Sequence, residues 1–244
     1  NPIEAIKTNI LGAQNIIESS LKNRVKKIIN VSTIRSFSDN QDDITPITEE
    51  SSLAVNDKNM PFDKWSAKAD QLFLNQDEKI DCICLNLGAV IGPEDNIVSP
   101  MGNFFISYLK GDLKLVPEGG YPWISIDDVI KVIEKSLSIG KNHKQYIVAN
   151  EWLTLNDVLN SFKIHSGTNH KYKLSSIKKL LFLGLILNPI FKLFKLKLIP
   201  TKTLIAMTRH KLFSSERVKS EFGIEFKSIN RTLEECAKFY GSKV

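Results

Sequence analysis

At 244 residues the chain is long enough to bury a sizeable core, either as one large domain or as a domain with a lobe. Its 42% apolar and 25% charged residues are those of a globular protein and exclude a disordered or fibrous one. The net charge of +6 is uneven: from Ser161 onward 17 Lys+Arg face 5 Asp+Glu, against 16 and 22 before it.

A basic C-terminal half suits nucleic acid, an anionic membrane or a phosphorylated ligand. No recurring pattern of aromatic and basic residues matches an RNA-binding module, so no nucleic-acid partner is expected. Solvated lysines on helix surfaces are the plain reading. The three cysteines, Cys82, Cys84 and Cys236, are too few and too odd in number for a disulfide framework, which points to a reducing, cytoplasmic compartment. Cys82 and Cys84 alternate in a strand-like run and read as buried thiols. No metal site is expected, because the further ligands it needs are not nearby.

The opening Asn1-Pro2-Ile3-Glu4 reads as a helix beginning, with Asn1 as cap, Pro2 in the first turn and Glu4 at the positive end of the dipole. No charged-then-apolar leader precedes it, and the chain is expected to start partway through a fold. Ile6, Ile10, Ala13, Ile17 and Leu21 keep helical spacing and predict an amphipathic helix over 2–21. The β-branched run Ile28-Ile29-Asn30-Val31 predicts a buried strand ending at Ser32-Thr33. Residues 34–61, rich in Ser, Asp, Asn and Pro, predict a long loop of the kind that carries function.

A second helix is predicted over 62–75 and a second strand over 80–87, followed by Gly88-Ala89-Val90-Ile91-Gly92-Pro93, which reads as a turn or loop. Beyond it come a helix over 102–110, a strand over 121–126 and a helix to about residue 138 capped by Asp127 or Asp128. A strand over 145–149 follows, then a helix over 155–166 capped by Thr154, and a mostly helical basic remainder. The most apolar stretch, 180–191, is too short for a bilayer span and contains Pro189. It reads as lobe core, with an amphipathic segment on an anionic membrane as the alternative.

Strands and helices alternating at this interval predict right-handed βαβ units and a parallel sheet. Ligands of such sheets sit beyond the carboxyl ends of the strands, where Ser32-Thr33 and Gly88–Pro93 both fall. A hydroxyl there can hydrogen-bond a substrate oxygen. Lys68, on the second helix, can bond ribose hydroxyls and lower the pKa of an acid beside it.

The order of these features closely resembles the extended short-chain dehydrogenase/reductases. NPIEAIKTNILGAQNII is similar to their sugar-nucleotide epimerase/dehydratase branch. MGNFFISYLKG, GGYPWISIDDV and RHKLFSSERVKSEFGIEF are similar to the dihydroflavonol-reductase-like branch. The resemblance implies an α/β Rossmann-like parallel sheet, truncated at its N-terminus, with a small, mostly helical substrate lobe at the C-terminus. Residues 1–150 would form the cofactor domain, with substrate-loop insertions around 94–125, and 151–244 the lobe.

The same resemblance assigns Thr33, with Ser32 beside it, as hydroxyl donor, Asn9 as the relay-water residue and Lys68 as the cofactor-ribose lysine. Gly88, Ala89, Val90 and Gly92 would pass the nicotinamide, and Asn103, Tyr121 and Trp123 would contact substrate. NAD or NADP is the implied cofactor. A nucleotide sugar or a small alcohol or ketone is the implied substrate, and the basic lobe favours a phosphorylated one. A homodimer paired through the two long helices is implied as well.

Two departures stand out. No G-x-x-G-x-x-G turn precedes Asn9, so roughly the first 70 residues of the fold are expected to be missing and the sheet is expected to show an apolar edge. The family also places a Tyr four residues before its Lys, on one helix face. Lys64 stands there instead and is the remaining candidate acid. Pro61-Phe62-Asp63-Lys64 is similar to the family's Pro-Tyr-Asp-Lys, but at about 100° per residue Phe62 and Lys68 point to different faces. The expectation is therefore an impaired oxidoreductase or epimerase acting on a hydroxyl or keto carbon. The alternative is a non-catalytic binding or scaffold protein with the same fold.

Overall fold

The structure, a computed structural model, describes residues 6–38, 45–56, 61–76, 80–182, 204–205, 207 and 212–244. A π-helical turn, Lys7–Leu11, runs into α1 (Gly12–Lys22), and β1 (Lys27–Thr33) ends in a 3-10 turn, Ile34–Ser36. Then come α2 (Pro61–Leu74), β2 (Asp81–Leu87), β3 (Ala89–Ile91) and α3 (Pro100–Leu109). These are followed by β4 (Leu115–Pro117), β5 (Gly120–Ser125), α4 (Ile126–Ser138), β6 (Lys144–Val148) and β7 (Trp152–Thr154). The described elements close with α5 (Leu155–Ser166), β8 (Lys173–Ser175), α6 (Glu216–Phe222) and α7 (Ile229–Gly241).

Two compact units interleave along the chain. The first takes Asn1–Val90, Ile126–Asn150 and Lys211–Phe226; the second takes Ile91–Ser125, Glu151–His210 and Lys227–Val244.

In the first unit β1, β2 and β6 form a parallel sheet in that order. β2 lies in the middle and is buried from Cys82 to Leu87, as an almost uniformly apolar run between two neighbours must be. The register sets Thr33 opposite Leu87 and Leu87 opposite Val148, so the three carboxyl ends finish level. Among the described residues β1 is an outer strand of this sheet, and Val31 on it is 52% exposed.

Ala13 and Ile17 of α1 pack with Phe73 of α2 over Cys82 and Cys84. On another cluster Ile34, Phe37 and Ile47 meet Ile147 and Ala149. Asp127 and Asp128 do not cap α4. That helix begins at Ile126, so both carboxyls sit within its first turn, where they complement the dipole.

The second unit pairs β5 with β7 antiparallel and β4 with β8 parallel. Its core rests on Phe105 stacked on Phe162, ring centroids 4.4 Å apart, with Tyr240 5.5 Å from Phe105. Gly120 is required where β5 meets β7: a Cβ there would stand 2.3 Å from the Leu153 carbonyl oxygen. Thr154 caps α5 as read from the sequence. Its hydroxyl accepts from Asp157 N at 3.0 Å while Asp157 Oδ2 accepts from Thr154 N at 3.0 Å. The helix ends on Gly167 at φ 67°.

Among the described residues no helix is long and apolar enough to cross a membrane. From residue 183 the apolar stretch 180–191 lies outside the described residues, and so do most of the residues behind its membrane reading.

Candidate functional site

The N-terminal turn of the first unit, the end of β1 and one face of α2 enclose a cleft of about 390 Å³. Thr8 and Asn9 reach it from the π-helical turn. Such a turn widens a helix by one residue and re-aims the side chains around it, a distortion frequent at functional sites. Ser32 and Thr33 come from the carboxyl end of β1, and Phe62, Ser66 and Asp70 from α2. Thr33 is extended, at φ −135° and ψ 145°, and its Oγ1 accepts from Arg35 N at 3.3 Å. The sequence thus ends the strand on a residue that caps the turn after it while lining the cleft.

Behind these residues stands Asp70, only 1% exposed. One carboxylate oxygen accepts from Asn30 Nδ2 at 2.9 Å, and the other from Ser32 Oγ and Asn86 Nδ2, each at 2.9 Å. Burial pushes the Asp70 carboxyl above its ordinary value; hydrogen bonds from Ser32, Ser36, Asn86 and Asn30 pull against it. Asn86 Nδ2 also donates to the Thr33 carbonyl at 3.3 Å, while its buried Oδ1 has no hydrogen-bond partner among the described residues.

The sequence reading missed Asp70, Asn30 and Asn86. The signal was there: Asn30 and Asn86 interrupt strands that are otherwise apolar, and a polar side chain buried in a sheet has to find a partner.

Asn9, Ser32 and Thr33 are brought together at the cleft. Lys64 and Lys68 are not. Their ammonium groups lie 5.1 and 5.3 Å from the centroid of the Trp65 ring, outside the cleft lining. The face of α2 turned to the cleft carries Phe62, Ser66, Ala69, Asp70 and Phe73, the spacing of a single helix stripe. A pair four residues apart facing Thr33 is therefore Phe62 and Ser66. Phe62 is held from outside by Arg35, whose guanidinium carbon sits 4.8 Å from the ring centroid and which pairs with Asp63 at 2.6 Å.

The remaining predicted residues lie elsewhere in the fold. Gly88 N donates to the Val148 carbonyl at 2.9 Å, and Ala89 and Val90 belong to β3, so the segment read as a loop is partly a strand. Gly92 falls in the second unit. In that unit Asn103 is exposed and its amide donates to the Ser99 carbonyl at 3.2 Å. Tyr121 packs edge to face on Trp123, centroids 5.6 Å apart. Trp123 itself is completely buried, with its indole N–H on the Leu153 carbonyl at 2.9 Å, which makes it a core residue of the unit. Cys82, Cys84 and Cys236 are buried; burial pushes the Cys82 thiol up to about 11. Among the described residues no His, Cys, Asp and Glu cluster is placed to hold a metal ion.

The model of the NAD dependent epimerase/dehydratase family matches residues 1–149. Among solved structures the chain is similar to UDP-glucose 4-epimerase from Thermotoga maritima with UDP-glucose, at TM-score 0.78 and 18% identity, covering 100% of this chain and 72% of that one. It is also similar to UDP-N-acetylglucosamine 4-epimerase from Methanobrevibacter ruminantium in complex with UDP-N-acetylmuramic acid, at TM-score 0.75 and 16% identity over 100% and 72% of the two chains. A third is dTDP-glucose 4,6-dehydratase from Bacillus anthracis in complex with NAD, at TM-score 0.70 and 19% identity over 96% and 68%. At these identities the likeness is one of fold. Among curated proteins none matches the chain.

Proposed function

The chain belongs to the NAD dependent epimerase/dehydratase family, and on that premise we propose that it acts, slowly, on a hydroxyl or keto carbon of a nucleotide sugar or a small alcohol or ketone. The names of the similar structures, two epimerases with UDP-sugars bound and a dTDP-glucose 4,6-dehydratase with NAD, support the nucleotide-sugar reading. The observation that carries the proposal is the sharing of one cleft by Asn9, Thr33, Phe62 and Ser66.

NAD or NADP is the cofactor that goes with this family, and when bound it supplies or accepts a hydride. The cleft offers hydroxyls from Thr33 and Ser66 and the amide of Asn9, groups that suit the ribose and carboxamide beside the nicotinamide ring. Among the described residues its lining holds no Lys or Arg. Thr33 would donate a hydrogen bond to the substrate oxygen, and Asn9 would orient a water or hydroxyl nearby. Phe62 has no proton to give, and the neutral hydroxyl of Ser66 does not depress the pKa of a neighbouring acid as an ammonium does. The proton is then left to solvent, and a positioned acid is worth about 10²–10⁴ in rate.

Putting Phe62→Tyr and Ser66→Lys together supplies acid and cation on the cleft face of α2. We expect turnover with NADH or NADPH and a nucleotide sugar to rise roughly a hundredfold. Lys64→Tyr, which would set its phenol beside Trp65, should change nothing. No gain from the double substitution, together with no nicotinamide fluorescence change on titration, would overturn the reading.

The residues at 62 and 66 also favour a second reading, a binding or scaffold protein of the same fold. It predicts ligand binding without turnover in the double variant. Asn103 and Tyr121 remain candidate substrate contacts. Pairing of two copies through the N-terminal helical segment is supported by Leu11 at the end of the π-helical turn and Leu21 on α1, 47% and 39% exposed, and the cysteine usage supports a cytoplasmic setting.

A further inference from the structure

We infer that Asp70 is a positioning residue, the buried carboxylate that fixes the carboxyl end of β1, and Thr33 with it, against the cleft face of α2. The inference rests on the reading of Thr33 as the substrate-facing hydroxyl.

Asp70 sits two helical turns beyond Phe62 and one beyond Ser66, on the same stripe of α2. From there it receives Asn30 and Ser32 of β1 and Asn86 of β2, three donors at 2.9 Å from two adjacent strands. Asn86 uses its other amide proton on the Thr33 carbonyl. One carboxylate therefore reaches Thr33 by two routes: along β1 through the adjacent Ser32, and across the sheet through Asn86. The helix that carries Phe62 and Ser66 is tied to both strands at the same point. A neutral side chain such as Leu would fill the space with less desolvation cost, but it would give these three donors nothing to bond.

The groups facing Asp70 are Asn30, Ser32, Ser36, Cys84 and Asn86. Of these the Cys84 thiol alone titrates near the working range of proteins, and burial drives it far above its ordinary value. Among the described residues, hydrogen bonds from neutral side chains hold the carboxylate.

Amide hydrogen exchange of the whole chain tests this without any ligand. In Asp70→Ala the peptide spanning 28–38 should exchange at least tenfold faster, while one spanning 144–148 in the same sheet keeps its rate. Asp70→Asn, which retains one acceptor oxygen, should fall between. A uniform acceleration over both peptides, or none over 28–38, overturns the inference in favour of a role in general stability. Should Asp70→Ala fail to fold, Asp70→Asn and Asn86→Ala carry the same comparison.

A parallel titration with NADH keeps the two readings apart. Absent binding by the unaltered chain, together with no gain from the double substitution at Phe62 and Ser66, sinks the proposed function and leaves the exchange result to decide on Asp70. Binding by the unaltered chain that is unchanged in Asp70→Ala, despite loosened 28–38, overturns the positioning role.

Discussion

Asp70 carries its charge at a cost, and the sign of that cost can be measured. Its folded-state pKa is raised above the unfolded value by burial. A carboxyl shifted this way adds stability that is complete below the ordinary aspartate value of 3.8 and is lost as pH rises through the raised one. Asp95 and Glu221 are shifted the opposite way, so the raw pH profile of the chain mixes both signs. The difference between the unaltered chain and Asp70→Asn removes that mixture. Urea unfolding across the acid range should show the unaltered chain losing stability relative to the variant as pH rises. A difference that stays flat with pH would mean that burial does not penalise this charge.

Legibility in the sequence was uneven at this scale. Thr33 was singled out by the strand end it occupies and Asn9 only by the family resemblance; both line the cleft. Asp70 was missed, because its partners lie 40, 38 and 16 positions away, and no window of sequence joins them. The segment Pro61-Phe62-Asp63-Lys64-Trp65-Ser66-Ala67-Lys68 offers two pairs four residues apart, Phe62 with Ser66 and Lys64 with Lys68. Chemistry favours the lysines; the rotation of α2 about its axis decides for the other pair.

At the scale of elements, the helix ends give the sharpest forecasts. The reciprocal bonds of Thr154 and Asp157 satisfy two amide groups at the start of α5 that the helix itself leaves open. Thr154→Ala should cost about 1 kcal/mol in chemical denaturation, and Thr154→Ser close to nothing. A loss shared equally by both variants would assign the effect to packing of the Thr methyl group instead. This cap was readable in the sequence because a hydroxyl stands directly before an amphipathic run with an acid three places on. The start of α4 misled for a related reason: Asp127 and Asp128 look like caps, yet the helix begins one residue earlier at Ile126. A carboxylate is welcome both at a cap and in the turn after it, so composition does not separate the two. The π-helical turn around Asn9 had no forewarning either, since helical periodicity over 2–21 is the same with or without one widened turn.

For the molecule as a whole, the alternation of strand and helix gave the parallel sheet of the first unit, and the level ends of β1, β2 and β6 follow from its register. Alternation along the chain did not reveal how later stretches are shared out. Residues 126–150 return to the sheet after an excursion of 35 residues, Ile91–Ser125, that belongs to the other unit. The basic C-terminal half is likewise divided, Lys211–Phe226 going to one unit and the rest to the other.

Because each unit is stitched from three separate stretches, no single cut of the chain frees either of them. A fragment ending at Asn150 lacks α6, whose Phe222 ring lies 4.8 Å from Tyr146 on β6. A fragment starting at Glu151 lacks Phe105, the stacking partner of Phe162. Either half expressed alone should be protease-sensitive and bind hydrophobic dye. Mixing the two halves should recover resistance, in the manner of a split protein reassembling from its pieces. Halves that resist protease separately would show that the shared stretches are dispensable.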